Sequence, residues 1–134
     1  MSRYQLRPVS LSALALLIVG CASAPRPAPQ AVGLAELMER PAERALIDGI
    51  RAYDDGQYQP AEAALRKALA AGLRSPRDQA SAHKLLAFIT CTSNRLADCE
   101  AAFRAARAAD PAFALSRSEA GHPQWGPVYR KVVP

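Results

Sequence analysis

The sequence predicts an all-α protein built from two helical hairpins, a fragment of an α-solenoid, and a short C-terminal capping helix. Between residues 42 and 110, apolar side chains recur every three or four residues, as in helices that bury one face. Short breaks containing Gly, Asn or Pro separate these runs. Hydrophobic residues make up 50% of the chain but aromatic residues only 6%, and many of the former are alanines, which suits closely approaching helices. With 134 residues, the chain has room for one small domain.

Residues 1–20 predict a lipoprotein signal peptide. Arg3 and Arg7 form a basic n-region. Residues 9–19 follow as an apolar run, which is too short to span a bilayer comfortably. The run ends in Leu-Ile-Val-Gly-Cys at residues 17–21, which resembles the lipobox of bacterial lipoproteins. An ordinary secretory signal with a coincidental cysteine is the alternative.

The lipobox resemblance implies that Cys21 becomes the lipidated N-terminus and that the mature protein has no transmembrane helix. Several acyl chains on one residue give a stable anchor. Ala22 and Ser23 follow, and the absence of an Asp there implies a lipid anchor in the outer membrane, facing the periplasm. Apart from this covalent lipid, we expect no cofactor.

Residues 21–32 comprise the lipidated cysteine and a Pro-rich tether. Pro25, Pro27 and Pro29 alternate with small residues, which favours extended polyproline-type backbone. Fully extended, such a tether would reach roughly 34 Å. We expect it to hold the folded domain, residues 33–134, away from the lipid surface.

The domain opens with a short amphipathic piece that carries Leu34, Leu37 and Met38. Pro41 suits the first turn of the next helix, which we expect to end near Gly56, since Gly is common just past a helix end. A second helix begins around Pro60 and stops at Gly72. Together these two helices form the first predicted hairpin.

The second predicted hairpin spans residues 80–113. Its two apolar runs are separated by Ser93-Asn94-Arg95, where Asn tolerates the left-handed backbone that closes a helix. Pro111 disfavours helical backbone at Asp110 and ends the second run. Helices joined by so short a turn lie antiparallel.

The two hairpins align on each other with a constant offset of 38 residues. Gly49 matches Ala87, Gly56 matches Asn94, and Leu65 matches Phe103. The pattern resembles tetratricopeptide repeats, with a small residue midway along the first helix and Gly-x-Tyr at the turn. Small residues at these positions allow the helix backbones to approach. A generic Ala-rich bundle is the alternative.

Cys91 and Cys99 lie four residues on either side of Arg95, so antiparallel helices place them opposite one another. In an exported protein such a pair persists as a disulfide. Two buried reduced thiols are the alternative. A redox-active pair is disfavoured because the spacing is not Cys-x-x-Cys, and a metal site has no second pair of ligands.

The first helices of both hairpins are expected to line one apolar groove. In such arrays this surface often receives ligands, and here it is too apolar to stay open to water. We expect the C-terminal Trp125–Val132 helix or the Leu34–Met38 piece to cover it from within the chain; the alternative is a partner's helix. Its residues are Leu46, Ile47, Ile50, Tyr53, Lys84, Leu85 and Phe88.

The C-terminal segment carries the most specific motif. Phe-Ala-Leu-Ser-x-x-Glu-Ala-Gly-His-Pro-x-Trp-Gly-Pro-Val-Tyr runs from Phe113 to Tyr129 and includes His122, Pro123 and Trp125. Together with the lipobox and the paired hairpins, it resembles the TssQ-type lipoproteins associated with bacterial type VI secretion. The resemblance implies an accessory, envelope-anchored repeat protein and supplies no catalytic residues.

The function predicted from the sequence is therefore non-catalytic scaffolding during assembly of a type VI secretion system, with a component of its envelope apparatus as partner. The alternative is a structural envelope lipoprotein that binds peptidoglycan or another outer-membrane protein. His83 and His122 are interpreted as structural, because no Ser, Cys or carboxylate stands in a catalytic motif with either. We expect no metal and no small-molecule substrate. Interspersed charges of both signs also disfavour nucleic-acid binding.

Overall fold

The computed structural model describes residues 40–133, which form α-helices joined by turns and contain no strand. The predicted all-α class and its helical hairpins are confirmed. The predicted signal peptide, Cys21, the tether and the Leu34–Met38 piece lie outside the described residues. In chain order the helices are α1 (Pro41–Asp54), α2 (Tyr58–Ala70), α3 (Pro76–Thr92), α4 (Leu96–Ala109), α5 (Arg117–Ala120) and α6 (Gly126–Val132). Within residues 40–133, none of these helices is long and apolar enough to cross a membrane.

Helix starts follow local capping chemistry. Pro41 occupies the first turn of α1, where its missing N–H group costs nothing. The apolar pattern marks α3 only from Ala80, but the helix begins earlier, at Pro76. Ser75 caps it by accepting a hydrogen bond from the backbone N–H of Asp78 at 3.2 Å. The cap, and not the apolar periodicity, therefore sets this boundary.

The turns within the two hairpins have equivalent geometry. Asn94 adopts the left-handed backbone expected of it, with φ of 59°, and Gly56 has φ of 72° at the matching position. Each turn is closed by an equivalent backbone hydrogen bond. The N–H of Gln57 donates to the carbonyl of Ala52, and the N–H of Arg95 donates to the carbonyl of Thr90, both at 2.8 Å. The offset of 38 residues found in the sequence thus corresponds to a structural repeat.

The core is organised in two clusters that share side chains. The first lies between α1, α2 and α3, and the second lies between α3, α4 and the C-terminal segment. Tyr53, Leu85 and Ala102 pack against both clusters. The two hairpins therefore form one continuous apolar interior and not two separate ones.

Gly49 is the point of closest approach in the first hairpin. A Cβ atom added there would lie 2.8 Å from Cγ of Leu65 and 3.2 Å from the Leu65 backbone nitrogen. The small-residue requirement inferred from the repeat alignment is thus a direct consequence of how α1 packs on α2.

Candidate functional site

The predicted groove does not form a single open surface, because Leu46 lies in the interior. Leu46 is only 6% exposed and belongs to the first core cluster. It is on the same side of α1 as Ala45 and Gly49, which are also buried. Leu46 therefore stabilises the first hairpin and is not available to a partner.

The other predicted groove residues of the first hairpin are half-buried. Ile50 packs against the first core cluster, and Tyr53 packs against both. Burial raises the pKa of Tyr53, with smaller contributions from the nearby phenol of Tyr58 and the carboxylates of Asp54 and Glu119. Ile47 is partly exposed as well.

Phe88, at the second-hairpin end of the predicted groove, is covered by Trp125. Their rings stack with centroids 4.2 Å apart and an interplanar angle of 19°. The imidazole of His122 also stacks on Trp125, at 3.3 Å and 3°. Phe88 is consequently only 4% exposed. Here the cover comes from within the chain, and His122 has a structural position in it.

Lys84, the charged residue of the predicted groove, binds Glu119 of α5 at 2.7 Å. Glu119 also completes a capping box with Ser116, and its carbonyl accepts a 2.8 Å hydrogen bond from the indole N–H of Trp125. Burial alone would raise the pKa of Glu119, but hydrogen bonds from Lys84 and Ser116 outweigh it and lower the pKa. This carboxylate therefore links α3 to the C-terminal segment.

The remaining C-terminal motif residues complete a cap on the second hairpin. The ring of Tyr129 packs edge-on against Phe103 and Phe113, with centroids 5.4 and 6.3 Å apart, and its hydroxyl accepts the N–H of Leu115 at 3.2 Å. A Cβ atom at Gly126 would lie 2.4 Å from the carbonyl oxygen of Ala120, so this position requires glycine. Pro123 is exposed in the turn between α5 and α6. We call residues 113–133 the C-terminal cap.

Cys91 and Cys99 are brought together across the second hairpin. Their Sγ atoms lie 1.99 Å apart, a bonding distance, and their Cα atoms 5.1 Å apart. Both residues are buried in the second core cluster, on either side of the Asn94 turn. The link therefore joins the end of α3 to the start of α4.

A charged cluster that the sequence reading missed joins the two hairpins. Glu62 of α2 accepts two hydrogen bonds from the guanidinium of Arg95, at 2.6 and 2.9 Å, and two from that of Arg66, at 2.7 and 3.2 Å. The Arg95 bonds, reinforced by Arg66, lower the pKa of Glu62 to about 2. Glu62 and Arg66 are four residues apart, a spacing that allows an ion pair on a helix, so this pair could be predicted from the sequence. The contact of Glu62 with Arg95 could not, because it depends on tertiary packing.

An open cleft of about 400 Å³, which the sequence pattern did not indicate, lies between α2 and α4, with α3 as its floor. Leu69, Leu86 and Ala102 supply apolar surface. His83 lies in the floor, and burial lowers the pKa of its imidazole. We call this surface the α2–α4 cleft.

These features define a class: a small all-α protein of paired helical hairpins, closed at one end by an aromatic cap. Within residues 40–133, no group of three or more His, Cys, Asp and Glu side chains could hold a metal ion. Comparison with family models, curated proteins and solved structures gave no match for this chain.

Proposed function

We propose that the protein is an outer-membrane-anchored, non-catalytic lipoprotein that acts as an accessory scaffold in assembly of a type VI secretion system. The proposal rests on the sequence resemblance to TssQ-type lipoproteins, which includes the lipobox ending at Cys21 and the motif from Phe113 to Tyr129. A helical array of this kind acts by contact, since paired hairpins offer extended surfaces to other proteins.

The observation that carries the proposal is the role of the motif within the fold. The residues with the most specific resemblance are those of the C-terminal cap, where Trp125 stacks on Phe88 and Tyr129 packs on Phe103. The motif on which the resemblance rests thus forms the cap that closes the second hairpin, and this structural role supports the proposal.

Several ionisable residues in and near the cap have structural partners. Lys84 pairs with Glu119 and Lys131 pairs with Glu100, at 2.7 and 2.5 Å. His122 stacks on Trp125, and its Nδ1 accepts the N–H of Gln124 at 3.3 Å. These contacts give the named side chains structural roles that require no chemical step.

The test is a gene deletion complemented by the native protein or by Cys21→Ser. We expect deletion to reduce the number of assembled contractile sheaths and the amount of secreted tube protein. Native protein should restore both, while Cys21→Ser, which cannot be acylated, should leave the outer-membrane fraction and fail to restore them. Sheath assembly is followed by fluorescence microscopy and localisation by membrane fractionation.

Normal secretion in the deletion strain would contradict the proposal. Co-sedimentation of the protein with purified peptidoglycan, together with normal secretion, would favour the alternative function as a structural envelope lipoprotein.

A further inference from the structure

The helices α1–α4 give the hairpin array two distinct ends. Because consecutive helices are antiparallel, α1 and α3 begin at the end where α2 and α4 finish. We call this the entry end, since the described chain begins there, and the end with the two hairpin turns is the turn end. The entry end comprises residues 40–48, 66–78 and 104–110, and the turn end comprises residues 51–62 and 95–100.

Basic residues predominate at the entry end and acidic residues at the turn end. The entry end carries eight basic and four acidic residues, whereas the turn end carries two basic and five acidic residues. Lys84, midway along α3, belongs to neither end. The array is therefore positive where the chain enters it and negative at the opposite end.

The positive charges of the entry end come from several helices that meet there. Arg44 of α1 and Lys67 of α2 line the same surface pocket. Arg77 of α3 lines another pocket beside Asp110, which directly follows α4. Arg74 lies in the loop between α2 and α3. Packing of the two hairpins thus gathers charges that are far apart in the sequence.

These basic side chains are available for an anionic ligand. Arg44, Lys67, Arg74 and Arg77 are exposed, and their side chains make no hydrogen bond or ion pair within residues 40–133. The exposed guanidinium of Arg107 donates to a backbone carbonyl at 3.0 Å, so its charge is not neutralised by a carboxylate.

Helix stability does not account for this arrangement. Lys67 and Arg107 lie in the last turns of α2 and α4, where cations complement the helix dipole. Arg44 and Arg77, however, lie in the first turns of α1 and α3, where the dipole disfavours cations, and Asp54 ends α1, where it disfavours anions. The charge order of α1 is therefore the reverse of the one that stabilises a helix.

We propose that the entry end binds the anionic phospholipid headgroups of the membrane leaflet that holds the lipid anchor. This inference rests on the proposed function in taking Cys21 to be acylated. Cys21 precedes Arg40 by 19 residues, and this segment joins the lipid to the positive end of the array. The tether predicted from the sequence limits how far the domain can lie from the membrane and permits contact with it.

An anchored domain needs little intrinsic affinity to bind the surface beside it. Attachment to the same membrane makes the contact intramolecular, so the effective concentration of lipid is high. Each basic side chain close to an anionic surface strengthens binding about fivefold at physiological ionic strength. An acidic protein would match the same charges, but the connectivity of the chain brings the membrane to this end.

The test compares the distances of the two ends from the lipid. Full-length acylated protein is placed in nanodiscs of phosphatidylcholine alone or of an equal mixture with phosphatidylglycerol, each containing a headgroup-labelled acceptor lipid. A fluorescent amino acid replaces Ala71 in one sample and Gln57 in another; both positions are exposed, and they flank α2 about 20 Å apart. We expect energy transfer from position 71 to exceed that from position 57 in the anionic nanodiscs. High salt or neutral lipid should reduce this difference.

Arg44 and Arg51 provide a matched pair of variants, since both are exposed on α1 but lie at opposite ends of the array. Arg44→Gln should lower the ratio of bound to unbound domain in anionic nanodiscs about fivefold. Arg51→Gln, which removes the same charge from the turn end, should leave the ratio unchanged. Circular dichroism checks that both variants remain folded.

Equal transfer from positions 71 and 57 in anionic nanodiscs would overturn the proposal. Transfer from position 71 that is the same with and without phosphatidylglycerol would also overturn it and would leave an acidic protein as the ligand of the entry end. Equal effects of Arg44→Gln and Arg51→Gln would show that net charge acts and not the entry end.

Two further results separate this inference from the proposed function. Mass spectrometry that finds no lipid on Cys21 would overturn both the anchor and the membrane contact. Normal secretion in the deletion strain, together with the expected energy transfer, would remove the secretion role and leave the membrane contact intact.

Discussion

At the scale of single residues, the packing of α1 on α2 depends on the absence of a side chain at Gly49. The Cγ and Cδ2 atoms of Leu65 lie 2.8 and 2.9 Å from where a Cβ atom would be. The equivalent position in the second hairpin is Ala87, which is fully buried against that hairpin's own side chains. A Cβ atom is therefore accommodated in one hairpin and not in the other.

Gly49→Ala tests this contact. Alanine favours helix over glycine by about 1 kcal/mol, but displacing the backbone and side chain of Leu65 costs about 1–3 kcal/mol. We expect a net loss in the free energy of unfolding, measured by urea denaturation. Asp48→Ala, at an exposed position of the same helix, is the control and should change stability by less than about 0.5 kcal/mol. A gain in stability for Gly49→Ala would contradict the close approach.

Glu62 gives the protein an acid-sensitive contact between its hairpins. Its folded pKa of about 2 lies below the ordinary value of 4.5, chiefly because Arg95 donates to the ionised carboxylate. This stabilisation is fully present above the ordinary pKa and is lost as the pH falls from about 4.5 towards 2. Because Arg95 and Arg66 are partly solvated, we expect the contribution to be about 1 kcal/mol.

Glu62→Gln should remove that contribution at neutral pH and make stability less dependent on pH between about 5 and 2. Urea unfolding at several pH values measures both effects. Glu43→Gln, on the neighbouring helix and with a single long contact of 3.9 Å to Arg40, is the comparison. Identical acid profiles for Glu62→Gln and the native protein would show that the inter-hairpin pair contributes no pH dependence.

At the scale of elements, the link between Cys91 and Cys99 fixes α4 against α3 close to their turn. Closing a loop of this length contributes about 2.5 kcal/mol by the chain-entropy model. We expect reductant to lower the unfolding midpoint of the native protein by a corresponding amount. The double variant with alanine at both positions should show a lowered midpoint that reductant does not change. A native midpoint that is insensitive to reductant would indicate free thiols.

The C-terminal cap is the second element whose contribution can be measured. Trp125→Ala removes the ring stacked on Phe88 and the hydrogen bond to the Glu119 carbonyl, and we expect a loss of about 2–3 kcal/mol, less than for a fully buried tryptophan. Trp125→Phe retains the stacking and should lose less. Denaturation followed by circular dichroism gives both values.

The opposite result would assign the cap a different role. If Trp125→Ala leaves stability unchanged while partner binding disappears, the indole is an interface residue and not a cover for Phe88.

At the scale of the whole molecule, the shared core predicts cooperative unfolding. Tyr53 and Leu85 pack against both core clusters, and Glu62 pairs with Arg95 across the hairpins. The single tryptophan of the chain lies in the C-terminal cap, so its fluorescence reports that end of the molecule. We expect fluorescence and circular dichroism to give the same unfolding midpoint. A lower fluorescence midpoint would mean that the cap opens before the hairpins.

Much of the fold could be predicted from the sequence because its signals are local. Apolar periodicity marked the helices, and the backbone preferences of Gly56, Asn94 and Pro111 marked their ends. The capping box of Ser116 and Glu119 was likewise readable from spacing. The start of α3 at Pro76 was missed because the alanines and polar residues after it show no clear apolar stripe, although Ser75 before Pro76 is a capping signal.

The candidate site could be predicted only in part. The sequence brought Phe88 and Trp125 into the same hypothesis, since both belong to apolar stripes that need cover. It also placed Leu46 on the groove, because periodicity alone does not separate two adjacent buried faces of one helix. The α2–α4 cleft was not visible, since its lining comes from three helices whose relative positions depend on packing.

The sequence by itself determined the helical class, the hairpin repeat and the residues available for a cap, because capping, turn chemistry and periodicity act over a few neighbouring residues. Tertiary structure alone decided which apolar side chains stay accessible. Burial depends on which helix faces pack against each other. This packing stacks Trp125 on Phe88, pairs Glu62 with Arg95 and leaves the α2–α4 cleft open.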